Sequence, residues 1–133
     1  MKIFLEIALA FVIVDVIIVA YVIYRRYRRR MPAGKVEEIK ESWRKIIRQQ
    51  DRRHAIMDAD NLLDHSLSLF GYKGNLGTKL KKSPKLFSNI NQIWAAHKVR
   101  NNIAHQINYE VSEQAYKAAM LAFKQAFKDL KIF

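Results

Sequence analysis

Residues 97 to 105 read His97-Lys98-Val99-Arg100-Asn101-Asn102-Ile103-Ala104-His105, which packs two imidazoles, a guanidinium and two amides into fewer than three helical turns. The chemistry these groups could do together is phosphodiester chemistry. A guanidinium grips phosphate oxygens with its planar fork, while an imidazole that titrates near neutrality moves protons to or from a ribose hydroxyl. No metal is needed for that division of labour. His97 and Arg100 are three apart and share a helical face; Lys98 adds a cation beside them, so His97 and Lys98 are candidate nucleic-acid or phosphate contacts. Arg100 and His105 are five apart, about 140° around an ideal helix. They converge if the helix ends between them and His105 falls on the following loop. Taken from the residues alone, an Arg and a His at this spacing serve packing or capping more often than catalysis, and both readings stay open.

Other polar side chains give weaker signals. Asp60 and Asp64 are four apart with His65 adjacent, a pattern that suits a solvated helix face better than a metal pair, so no metal site is assigned. Asp60 could instead reach across a bundle to hold Arg100. His54 has no evident partner. Lys73, Lys79, Lys81, Lys82 and Lys85 form a basic stretch, expected to be a solvated face and a candidate for weak RNA or lipid contact. Trp43 and Trp94 fall in helical stripes and are expected in the core rather than as stacking platforms for bases. There is no cysteine, which excludes disulfides, thiolate metal sites and thiol nucleophiles. Neither a dinucleotide fingerprint nor a P-loop is present, and no cofactor is expected.

The elements that must hold these groups are helical, because no segment sustains period-two alternation. Val36, Ile39, Trp43, Ile46 and Ile47 mark a first amphipathic helix after the breaker Met31-Pro32-Ala33-Gly34. Asp51 suits the N-cap of a second, over roughly 52–70, whose stripe runs through Ala55, Ile56, Ala59, Leu62, Leu63, Ser66, Leu67 and Phe70 to a stop at Gly71. Leu76 to Lys82 makes a short helix closed before Pro84. Ser88 is the expected cap of a third long helix, with Ile90, Ile93, Trp94, His97 and either Ile103 or Ala104 inward and a break near Gln106. A fourth starts after Ser112, its stripe formed by Ala115, Ala119, Ala122, Phe123, Ala126, Phe127 and Leu130. The expected fold is all-α, an antiparallel bundle of four long helices plus a short one over residues 35–133.

Ahead of the bundle, Ile3 to Tyr24 is a run of 22 positions broken only by Glu6 and Asp15. At 1.5 Å rise it covers about 33 Å, enough for a bilayer core. Residues 1–24 are therefore expected to be a transmembrane helix and 25–34 a basic juxtamembrane linker. With Lys2 as the sole early cation and Tyr21-Val22-Ile23-Tyr24 closing the run, a cleaved signal peptide is not expected. Arg25, Arg26, Arg28, Arg29 and Arg30 follow at once, which places the N-terminus outside and the bundle in the cytoplasm, and lets these arginines reach anionic headgroups. Asp15, near mid-span, costs roughly 3 kcal/mol as a charged group. It is either tolerated by a very apolar helix or satisfied by another helix. The whole chain carries a formal charge of +12, and residues 31–133 alone hold 18 basic and ten acidic side chains, an excess that favours polyanionic partners.

Arg100-Asn101-Asn102-Ile103-Ala104-His105 resembles the R-x4-H motif, with a polar residue after the Arg, of HEPN (higher eukaryotes and prokaryotes nucleotide-binding) domains. The resemblance covers about residues 35 to 130 and rests on these few residues and the helical pattern. It implies a helical domain that often forms homodimers, with two copies of the motif meeting in one cleft, and in active members metal-independent RNA cleavage. Arg100 would then stabilise the phosphate, His105 transfer protons and Asn101 orient them. The rival expectation is a non-catalytic module that recruits a protein partner to the membrane.

Overall fold

The computed structural model describes the backbone of residues 1–28 and 31–133, and the side chains of 1–25 and 31–133. Six helices follow in chain order: α1 (Lys2–Arg28), α2 (Ala33–Ile46), α3 (Arg52–Leu69), α4 (Leu76–Lys82), α5 (Ile90–His105) and α6 (Glu113–Asp129), with a 3-10 turn at Pro84–Leu86 between α4 and α5. They form two compact units, Met1–Arg30 and Met31–Phe133.

The first unit is α1. Its Lys2–Arg25 stretch is long and apolar enough to cross a membrane, and the helix runs on through Arg28, past the expected end of the span. Its large apolar side chains make no core of their own: Phe4, Phe11, Ile17 and Tyr24 are all exposed. A helix apolar on every side needs an apolar surrounding, which is what a bilayer supplies.

The second unit is an all-helical bundle with four long helices and the short α4, as the periodicity predicts. The core falls on the expected stripes, with Ile39, Ile56, Leu63, Leu67, Ile93, Phe123 and Phe127 fully buried. The helix α3 is central: it packs against α2, α4, α5 and α6, while α5 also packs on α6 and α4. Between Ile103 and Ala104, the structure buries Ile103 and leaves Ala104 exposed.

Local chemistry fixes where the helices begin and end. Asp51 caps α3 by accepting from the Arg53 and His54 backbone N–H groups, and Ser112 caps α6 by accepting from Ala115. Gly71, at φ +88°, ends α3: its N–H donates to Ser68 O and that of Tyr72 to Leu67 O, which satisfies two carbonyls of the last turn. Pro32 occupies the cap position of α2, so Ala33 and Gly34 belong to its first turn rather than to a breaker.

The cap of α5 differs from expectation. Asn89, one residue later than Ser88, accepts from the Gln92 N–H. Ser88 instead donates its backbone N–H (2.8 Å) and its hydroxyl (2.9 Å) to Asp129 Oδ2 at the end of α6. A carboxylate arriving from another helix takes both donors of Ser88, and the cap passes to the next competent side chain. Burial pushes the Asp129 pKa up, but the Ser88 N–H, Gln125 and the Ser88 hydroxyl outweigh it and hold this carboxyl below its ordinary value.

Candidate functional site

The site begins with a carboxylate on a buried stripe. Asp60 lies four residues after Ile56 and three before Leu63, on the face of α3 that packs against α5, and its side chain is 3% exposed. The expected solvated face is therefore wrong for Asp60. An ionised carboxylate so placed needs partners, and α5 provides two. His97 Nδ1 donates to Asp60 Oδ1 at 2.7 Å, and Arg100 Nε stands 3.4 Å from Asp60 Oδ2. Because a carboxylate only accepts, its contact puts the hydrogen of His97 on Nδ1 and leaves Nε2 to act elsewhere.

Arg100 is held but not used up. Its Nε is buried and, despite the nearby carboxylate, has no hydrogen-bond partner. Its Nη1 donates to Asn101 Oδ1 at 3.3 Å. Of the five donors on a guanidinium, most remain for a ligand, and the side chain keeps 27% of its surface exposed. Asn101 thus touches the Arg it was expected to orient.

These side chains line a polar cleft of about 580 Å3 between α3, α4 and α5. Trp94, His97, Asn101 and His105 follow one another at spacings of three, four and four along α5, a single helical stripe, and Arg100 flanks it on the side toward Asp60. The helix continues through His105, so this residue is the last of α5 and not part of a loop; the helix breaks at Gln106 as expected. His105 reaches the cleft through its place on the stripe, not by a helix end that folds it back toward Arg100. Lys98 is exposed and is not part of the cleft wall.

The third wall is α4, and a buried cation fixes it. Lys79, expected on a solvated basic face, is 3% exposed and donates to the Asp64 carbonyl (3.0 Å), Asp64 Oδ1 (2.8 Å) and Ser68 Oγ (2.6 Å) of α3. Asp64 is likewise half-buried and paired rather than solvated. Three bonds to one ammonium group satisfy all its donors, which is the condition under which a lysine is buried with its charge. Lys73, Lys81, Lys82 and Lys85 stay exposed, and Lys81 alone among them joins the cleft wall.

Two aromatic expectations separate here. Trp43 is core, with Phe127 at 5.3 Å between ring centroids and Phe133 at 6.0 Å. Trp94 is only half-buried and lines the cleft, edge-on to His97 at 6.0 Å. Outside the cleft, His54 does have a partner, since its Nδ1 bonds Asp51 Oδ2 at 2.8 Å on an exposed helix start. Among the described residues no three His, Asp or Glu side chains converge as a metal cage would. Of the arginines expected to meet anionic lipid, Arg25 is exposed, and Arg26, Arg28, Arg29 and Arg30 lie outside the described side chains.

The residues that sequence reasoning undervalued are Asp60, Trp94 and Lys81. Asp60 had a readable signal, its position within the apolar stripe of α3. For Lys81 nothing in a run of lysines distinguishes the one that α4 turns into the cleft. No family model, curated protein or solved structure matches this chain.

Proposed function

We propose that this protein is a membrane-tethered RNA-binding and RNA-cleaving module of the HEPN type, acting on the phosphodiester backbone without a metal ion. The observation that supports it most is the Asp60–His97–Arg100 cluster in the polar cleft: a buried carboxylate presets an imidazole and a guanidinium beside the stripe that ends in His105. Buried charge of this kind is a poor way to stabilise a bundle, and its use is in orienting groups for a ligand.

The reaction follows from the groups. Arg100 binds the non-bridging oxygens of a phosphodiester. One imidazole takes the proton of the adjacent ribose 2′-hydroxyl, whose oxygen attacks phosphorus; a second gives a proton to the departing 5′-oxygen. The bond from phosphorus to the 2′-oxygen forms and that to the 5′-oxygen breaks, leaving a 2′,3′-cyclic phosphate and a 5′-hydroxyl. His105 is one of these imidazoles, and the second is either His97 of the same chain or His105 of a second copy in a homodimer. The arginines at 25, 26 and 28–30, just past the apolar stretch, support a cytoplasmic bundle, with these arginines facing anionic lipid and the cleft facing RNA.

A second reading has one observation in its favour. Between α5 and α6 an apolar groove of about 370 Å3, lined by Ala95, Ala96, Val99, Ala118 and Leu121, suits a helix of a protein partner, with the charged cluster as internal scaffolding.

Full-length protein in detergent micelles, incubated with mixed RNA in EDTA, decides between them. Wild type is expected to give cyclic-phosphate ends, and Arg100→Ala or His105→Ala to lose about a hundredfold or more of the rate while keeping the helical circular dichroism. A folded wild type that neither cleaves nor binds RNA sinks the nuclease reading and leaves the recruiting module.

A further inference from the structure

Among the described residues Trp94 is the one large aromatic ring on the cleft wall, packed against the bundle core but only partly enclosed by it. Where Trp43 is packed among Phe127 and Phe133, Trp94 keeps part of its ring in the cleft. Its position is nonetheless fixed: His97 meets it at an interplanar angle of 70°, and on the other side α4 comes close because residue 77 is glycine. A Cβ added at Gly77 would lie 3.6 Å from the Trp94 ring, so the α4 backbone rests against the ring with little side-chain bulk between them. An indole packed in this way and partly open to a polar cleft offers a surface on which a base can stack.

We propose that the cleft holds an unpaired nucleotide of an RNA strand, with its base stacked on Trp94 and its phosphate on Arg100. This rests on the reading of the cleft as a phosphodiester site and adds how the strand is recognised. Trp94 and Arg100 are six residues apart on α5, roughly 9 Å along the helix axis, which one nucleoside can bridge from base to phosphate. The cleft, at about 580 Å3, has the size of a site for one such unit. Asn61, Asn75 and Thr78, on the α3 and α4 sides of the cleft, offer amide and hydroxyl groups to a base edge, and Lys81 offers a cation to a neighbouring phosphate. Stacking on the indole needs a free base face, so a base inside a duplex is excluded and the substrate is single-stranded or looped RNA.

The test separates this stacking from simple phosphate binding. Full-length protein in micelles is titrated with a 2′-O-methyl tetranucleotide, which lacks the attacking hydroxyl, with its abasic counterpart and with inorganic phosphate, following tryptophan emission and heat. The tetranucleotide is expected to quench Trp94 emission and to bind roughly tenfold or more tightly than the abasic strand. Trp94→Leu removes that difference, Trp94→Phe keeps part of it, and in both the affinity for inorganic phosphate is unchanged. Equal binding of intact and abasic strands without quenching overturns the stacking proposal and leaves the phosphodiester site standing. If no phosphate-bearing probe binds, both fall together.

Discussion

Two clusters between helices of this bundle are built from opposite materials. Where α2 meets α6, Trp43, Phe127 and Phe133 join in edge-on and tilted contacts at 5.3 to 6.0 Å, with Phe127 fully enclosed. Where α3 meets α5, Asp60, His97 and Arg100 occupy an equivalent place between two helices, and the interface carries a carboxylate, an imidazole and a guanidinium. Burying aromatic area stabilises directly, at about 25 cal/mol per Å2. Burying charge costs several kcal/mol of lost hydration per ion, which the attraction between partners only roughly offsets. The first cluster accounts for the fold; the second accounts for something the fold alone does not need.

The sharpest break of this comparison is Phe127→Ala. Removing a fully buried ring in contact with two other aromatics is expected to destabilise the bundle by about 4 kcal/mol, measured by denaturant unfolding in micelles. At a temperature where the variant is still folded, its RNA binding should match wild type. A loss of binding in the folded variant would show that the two clusters are not independent.

The ionic cluster should respond in the reverse sense. Asp60→Ala leaves His97 and Arg100 without their carboxylate and is expected to cost about 3 kcal/mol, somewhat less than a fully enclosed pair because Arg100 keeps 27% exposure. Replacing all three together, Asp60→Leu with His97→Leu and Arg100→Met, should return stability to wild type or above it while RNA binding stays lost. A triple variant as unstable as Asp60→Ala would mean that the cluster stabilises the bundle in its own right, and the functional argument from its cost would fail.

The same contrast explains what the sequence makes legible. Helix positions, the apolar stripes and the caps at Asp51 and Ser112 follow from periodicity and local hydrogen bonding, which act over a few residues. Polar side chains that pair across helices do not. Asp64 with Lys79 and Ser88 with Asp129 are separated by 15 and 41 residues, so each partner looks solvated in its own segment. Trp94 was legible in part: it packs against the core as its helical spacing predicts, but that spacing does not show that the ring also lines a cleft. The motif residues 100–105 were legible as candidates, whereas the carboxylate that orients Arg100 became a firm partner only once α3 and α5 were packed.

Asp129 gives the smallest and most specific test, because it is a carboxylate of intermediate kind on the rim of the apolar end. It accepts from Ser88 twice and from Gln125 once, and these bonds favour its charged form, so its folded pKa lies below the unfolded one. The folded state then binds fewer protons than the unfolded state as pH falls through the carboxylate range. Its contribution is fully present above the unfolded value of roughly 3.9 and disappears as pH drops through the lowered folded value. Asp129→Asn, which keeps the shape but loses the charge, should cost about 1 kcal/mol at pH 7, a modest figure because the site is only partly buried. The gap between wild type and variant in urea midpoints should shrink as pH falls below the unfolded value and through the lowered folded one. A gap of constant size from pH 7 to pH 3 would mean that the Ser88 contact acts through shape alone, without a contribution from the charge of Asp129.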